Sequence, residues 1–182
     1  VAANLNAVVF DKTGTLTTGN LEVTRLMPAT GIDPAYLLEV AASAEQFSNH
    51  PIARAVTEVA RKANLSLVEP SELKEIAGKG VKSRIRQNIV LVGRESWLRE
   101  EGANFLTIRP EEAEGASEYS TLYVSENGKC LGWIGLEDKT REEARQCTEE
   151  LKRLGCRHIT MLTGDRWPVA RKVSEALGCT KV

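Results

Sequence analysis

The chain has 182 residues, 42% hydrophobic and 27% charged, with 24 Lys+Arg against 25 Asp+Glu and a net charge of -1. That is a core-forming composition, enough for one ordinary domain or two small ones. The near-balanced charge gives no sign of nucleic acid or an anionic membrane surface as an electrostatic partner. The longest apolar stretches, such as 5–10 and 89–92, fall far short of the about 20 residues a membrane helix needs, and no secretory leader is read at the N-terminus.

In chain order, residues 7–10 are an unbroken run of β-formers that predicts a strand buried on both faces in a parallel sheet, ending at Asp11. Gly14 and Gly19 then break the pattern. Asp33-Pro34 starts a helix, with Leu37, Leu38, Ala41 and Ala44 at helical spacing. A second helix starts near Pro51, carried by Ile52, Val56, Val59 and Ala60, so residues 47–50 connect a helical hairpin. Short strands are expected at 73–76, 81–85 and 89–92, with Gly78-Lys79-Gly80 as a sharp turn or close backbone approach. Short helices are expected at 95–101 and 110–114. Asn127-Gly128 between 121–125 and 130–136 predicts a β-hairpin. A helix over about 140–154, a strand at 159–162 and a helix over 168–177 closed by Gly178 complete the reading.

Strands alternate with helices at the two ends, while hairpins fill the middle. The expected architecture is an α/β domain, residues 1–22 with 134–182, interrupted by an inserted α+β domain, residues 23–133. The four cysteines form no CxxC pair, and His50 and His158 stand far apart. Free thiols in a reducing cytoplasm are the expectation, with no zinc site. Trp97, Trp133 and Trp167 are expected to be packing residues.

The strongest chemical signal is Asp11-Lys12-Thr13-Gly14-Thr15-Leu16-Thr17. A carboxylate at the C-terminal end of a parallel strand stands where α/β sheets bind ligands. Glycine and threonines after it offer backbone N–H groups and hydroxyls that cradle phosphate oxygens. Aspartate can attack phosphorus to form an aspartyl phosphate. The loose transition state then needs positioning and positive charge, which Lys12 and a Mg²⁺ ion would supply.

These seven residues resemble the phosphorylation signature of the P-type ATPases, DKTGT followed by Leu or Ile and Thr. Thr163-Gly164-Asp165 matches that family's TGD motif, and Asp138-Lys139-Thr140-Arg141 resembles its D-x-x-R/K hinge segment. The resemblance implies a phosphorylation domain of the haloacid-dehalogenase, Rossmann-like type. It implies Thr163 on the phosphoryl oxygens, Asp138 and Asp165 near the nucleotide or the interdomain hinge, and Mg²⁺ held by Asp11 and the Thr13 carbonyl. Ser48-Asn49-His50-Pro51 resembles the Ser-Glu-His-Pro motif of the heavy-metal (P1B) branch, with Asn49 for the usual Glu. Glu45, Gly78-Lys79-Gly80 and Gly93 fit the same branch, whose inserted domain binds ATP. The GDGxND segment of that family, and the lysine before it, are absent from the 182 residues. The chain is therefore expected to be a piece that binds ATP better than it turns it over.

The residue chemistry agrees with that resemblance. Glu45 and His50 close one helix and open the next, so both reach one rim. A carboxylate can accept from the exocyclic amine of adenine, and an imidazole can stack on the base or hydrogen-bond to it. The helix N-terminus disfavours an imidazolium at His50. Read alone, His50 is a helix cap; read with Glu45, the glycines and Asp11, it is a nucleotide residue. Gly78 and Gly80 permit close backbone approach to a nucleotide. Lys79 is either solvated or near phosphate.

By resemblance, the intact protein is an ATPase on the cytoplasmic face of a membrane. Its membrane helices and actuator domain would lie elsewhere in the polypeptide, as would the site of the transported heavy-metal ion. Two other readings stand beside it. A soluble phosphohydrolase of the same superfamily would carry a second aspartate where Thr13 stands; a nucleotide-binding module would do no chemistry.

Overall fold

The computed structural model describes residues 5–106, 108 and 115–182. The helix expected at 110–114 lies outside the described residues. The chain divides into two units: residues up to Asn20 with Asp138–Val182, and Leu21–Glu137.

In the first unit β1 (Ala7–Asp11) pairs in parallel with β8 (His158–Leu162), in a register that sets Asp11 opposite Leu162. Helices α4 (Glu142–Arg153) and α5 (Trp167–Leu177) supply the cover. Leu16, Ala144, Met161, Ala170 and Leu177 form the core, with Phe10 and Val173 packed on it. The Thr148 hydroxyl donates to the Leu177 carbonyl at 2.6 Å, tying one helix to the other. Gly178, at φ +69°, terminates α5 in the left-handed conformation glycine allows.

The expectation of a strand buried on both faces is corrected here. Burial along β1 alternates, with Val9 65% exposed and Leu162 63% exposed. Ala144, Ala170 and Leu177 of the two helices cluster with Met161, whose side of β8 also buries Ile159, and among the described residues the Val9 side has no such cover. An unbroken apolar run carries no sign of which face stays open.

In the second unit six strands run in the order β2-β7-β6-β5-β4-β3. They are β2 (Thr17–Pro28), β3 (Glu72–Ile76), β4 (Gly80–Ile85), β5 (Asn88–Gly93), β6 (Ser120–Glu126) and β7 (Lys129–Thr140). Pairing from β3 through β7 is antiparallel. The long strands β2 and β7 carry the chain out of the first unit and back. On one face α1 (Pro34–Glu45) and α2 (Pro51–Lys62) bury Leu37, Ala41, Val56 and Ala60 against Val92, Val124 and Ile134. On the other face α3 (Glu95–Glu100) closes Trp97 and Leu98 over Leu91, Tyr123 and Trp133.

Local chemistry sets the helical hairpin. The Ala35 N–H donates to Asp33 Oδ1 at 2.7 Å, and the Ile52 N–H donates to His50 Nδ1 at 3.2 Å. Each helix then has proline in its first turn, where no N–H is needed. Three sequence expectations shift. β2 is a strand that the sequence reading did not contain. Helix α4 starts at Glu142 because Thr140 still belongs to β7. Trp97 and Trp133 are buried, whereas Trp167 opens α5 with 63% of its surface exposed and is no packing residue.

Candidate functional site

Two groups of residues carry chemistry, one in each unit. In the first, Asp11 and Thr163 stand at the C-terminal ends of two paired parallel strands. Asp11 is exposed, and among the described residues no hydrogen bond or ion pair engages its carboxylate. The loop after it is tight and non-helical, turning at Gly14, φ +78° and ψ -12°. The Thr17 N–H closes it onto the Lys12 carbonyl, and the Gly14 N–H donates to Thr17 Oγ1 at 3.3 Å. Arg141 braces it from outside. Its guanidinium donates to the Gly14 carbonyl at 3.0 Å and its backbone N–H to the Leu16 carbonyl at 3.0 Å.

Lys12 is only 5% exposed, so it does not reach out beside Asp11 as a solvent-facing cation. Its Nζ lies 2.7 Å from Asp165 Oδ2, an ion pair outside hydrogen-bond direction, and 3.8 Å from Asp138 Oδ2. Asp138 in turn accepts from the Thr17 hydroxyl at 2.6 Å and from the Gly19 N–H at 3.0 Å. Asp138 and Asp165, expected near nucleotide or hinge, both place a carboxylate close to Lys12. Thr163 Oγ1 accepts from the Asp165 N–H at 3.1 Å, which leaves its hydroxyl proton available to an oxygen ligand.

The second group lines an open cleft of about 150 Å³ in the other unit. Glu45, His50, Gly78, Gly80 and Gly93 all line it, as the sequence motifs grouped them. His50 Nδ1 caps α2, and the exposed residue also lines the cleft. Because Nδ1 accepts, the neutral ring carries its proton on Nε2. Lys79 lines the cleft with its Nζ 2.7 Å from Glu100 Oε2, so it is exposed and paired.

The glycines have different reasons to be there. Gly80 and Gly93 face each other across β4 and β5. A Cβ on Gly93 would meet the Lys79 carbonyl oxygen and lie 2.8 Å from Trp97 Cε3; one on Gly80 would lie 2.6 Å from Gly93 Cα and 2.9 Å from Trp97 Cζ3. Strand packing over Trp97 therefore accounts for these two without any ligand. Only Gly78, at φ +71° with nothing within 4 Å of its Cβ position, leaves open space for an approaching ligand. Gly93→Ala is expected to destabilise the second unit by about 2 kcal/mol through overpacking. Gly78→Ala meets only the left-handed backbone penalty of about 1 kcal/mol. Urea denaturation of both variants checks the order.

Glu45 is the buried acid of the cleft. It is 5% exposed, and burial first, with the negative charge of Glu75 second, pushes its pKa from 4.5 up to about 7. Glu75 also lines the cleft, and nothing in its own strand pattern marks it for that role. The raised value has a sign. The folded state holds the Glu45 proton more tightly than the unfolded chain. That stability is complete below about pH 4.5 and drains away as pH rises through about 7, on the order of 3 kcal/mol in all. Glu45→Gln is expected to remove most of the decline between about pH 5 and pH 8, measured by denaturant titration at each pH.

Thr17 and Arg141 are the residues sequence reading passed over. Both lay inside quoted motifs, but Thr17 meets Asp138 from 121 positions away, a pairing no local pattern reveals.

The sequence profile of the haloacid dehalogenase-like hydrolases matches residues 5–182. A probable copper-exporting P-type ATPase of Archaeoglobus fulgidus is 38% identical over 180 residues, which is 97% of this chain and 22% of that protein. The solved structure of a zinc-transporting PIB-type ATPase in its E2·Pi state superposes with a TM-score of 0.79 at 30% identity, covering 99% of this chain and 29% of that one. The catalytic domain of a CPx-ATPase, in a study of its nucleotide-induced conformational changes, gives 0.72 at 26% identity, covering 97% and 60%. The chain thus spans about a fifth of the length of the curated relative it matches.

Proposed function

Since the chain belongs to the haloacid dehalogenase-like hydrolases, and its relatives are metal-transporting P-type ATPases, we propose that it is the ATP-handling region of a heavy-metal pump. ATP binds in the Glu45–His50 cleft, and its γ-phosphoryl group passes to Asp11. The observation that carries the reading is the exposed Asp11 carboxylate at the end of β1, engaged by no hydrogen bond or ion pair among the described residues, with Thr163 directly following the paired strand β8.

In the transfer an Asp11 oxygen attacks the γ-phosphorus, the bond from phosphorus to the bridging oxygen breaks, and ADP leaves with that electron pair. Thr163 and the N–H groups of the Thr13-Gly14 turn hold the phosphoryl oxygens. Asp11, exposed and unpaired among the described residues, suits a hard cation that keeps waters and phosphate oxygens as its other ligands, so Asp11 and the Thr13 carbonyl would hold Mg²⁺. Mg²⁺ there supplies charge neutralisation on the phosphoryl oxygens. Thr13 cannot act as the carboxylate base that speeds hydrolysis of the intermediate, which suits a pump that must keep its aspartyl phosphate. In the whole polypeptide this region faces the cytoplasm, and membrane helices and an actuator domain use the phosphorylation to move the metal ion.

His50 gives the test. His50→Asn keeps an N-cap acceptor for the Ile52 N–H but removes the ring. ATP affinity is expected to fall by roughly 1–3 kcal/mol with little change in stability. Titration calorimetry on the two proteins checks it; unchanged affinity removes His50 from the site.

A further inference from the structure

Among the described residues, the most buried ionisable group of the cleft has no partner. Glu45 is almost wholly buried, yet among the described residues no hydrogen bond or ion pair engages its carboxyl. Three features of its placement oppose a charge there. It is mostly removed from water. Glu75 shares the cleft wall. Glu45 is also the last residue of α1, where the unsatisfied carbonyls put partial negative charge. The other charged or titratable groups on that wall are His50, which caps α2, Lys79 from the turn before β4, and Arg94 after β5. None of them is ion-paired to Glu45, and Lys79 is engaged by Glu100. The upward shift of the Glu45 pKa to about 7 agrees with this placement.

A neutral carboxyl presents one O–H donor beside one carbonyl acceptor, whereas a carboxylate presents two acceptors. The edge of adenine offers an acceptor at N1 beside a donor at the exocyclic N6, the complement of the neutral acid. The edge of guanine offers donors at N1 and the exocyclic N2, the complement of the carboxylate. We propose that Glu45 reads the base as a neutral acid, so that adenine nucleotides bind with uptake of one proton from solvent onto Glu45 in mildly alkaline solution, and ionisation of Glu45 withdraws the preference for adenine over guanine. This rests on the nucleotide reading above and adds to it a protonation state and a base-selection rule.

Titration calorimetry with ATP, in buffers of different ionisation enthalpy at about pH 8, counts the proton directly, because the phosphates of ATP are fully ionised there and do not contribute. Uptake close to one proton per ATP is expected. ATP affinity should decline toward tenfold per pH unit above about 7, while GTP affinity does not share the decline. Glu45→Gln carries the same donor and acceptor pair permanently. It should hold at about pH 8 the ATP affinity of the parent at lower pH, with no proton uptake. ATP binding without proton uptake, or loss of ATP affinity in Glu45→Gln, overturns the inference while leaving the nucleotide site standing. Failure to bind either nucleotide overturns the nucleotide reading and this one together.

Discussion

Asp11→Asn, placed in the full polypeptide that contains this chain, is expected to lose all covalent label from γ-labelled ATP and Mg²⁺. The parent protein should carry label that survives acid and is released by hydroxylamine, the behaviour of an acyl phosphate. Asparagine matches aspartate in shape, and Asp11 is exposed with no described side-chain partner, so no core or ion pair is disturbed. What disappears is the nucleophile: an amide oxygen carries no negative charge and cannot hold a stable phosphoryl bond. Removal of a nucleophile of this kind typically lowers turnover by about 10⁴-fold or more. Nucleotide affinity should stay within about twofold, since the Glu45–His50 cleft is untouched. Label that persists in Asp11→Asn would move the acceptor elsewhere. Loss of nucleotide binding along with label would mean that the substitution acts through folding.

How much of this was legible in the sequence depends on how local each signal is. Asp33-Pro34 and His50-Pro51 announce their helices because the capping groups lie within two residues of the N–H groups they satisfy. The Asn127-Gly128 hairpin is legible for the same reason, with both residues at positive φ. The grouping of Glu45, His50, Gly78, Gly80 and Gly93 around one cleft came from motif resemblance, and the cleft indeed gathers them. Their physical roles did not come with it. That Gly80 and Gly93 answer to Trp97 depends on a cross-strand register, and that Glu45 holds its proton more tightly than an ordinary carboxyl depends on burial, with Glu75 nearby. β2 escaped notice because Gly19-Asn20 and the exposed Glu22, Thr24 and Arg25 dilute the alternation of Leu21 and Val23. The one-sided burial of β1 follows from where two helices, more than 130 residues later in the chain, settle.

The same distinction bears on Lys12, which motif reasoning assigns to the phosphoryl group and geometry assigns to two aspartates. Lys12→Met keeps most of the side-chain volume and removes the charge. Asp138 then keeps the Thr17 hydroxyl and the Gly19 N–H, but Asp165 loses its cation. Breaking a buried pair by deleting one partner costs about 3–5 kcal/mol, and because the Asp165 side chain reaches water in part, the lower end, about 3 kcal/mol, is expected here. The loss should be confined to the first unit: amides of β1 and β8 exchange faster, while those of β4 and β5 do not change. Adding Asp165→Asn to Lys12→Met should recover part of the loss, because the second change removes the uncompensated charge left by the first. If both single variants are as stable as the parent and the double variant is merely additive, the ion pair contributes nothing and Lys12 is free for the phosphoryl group. If the coupling is large, Lys12 acts on phosphoryl transfer by positioning. It ties the loop after Asp11 to Asp165, which follows the Thr163 hydroxyl, and to Asp138 at the point where β7 returns the chain to the first unit.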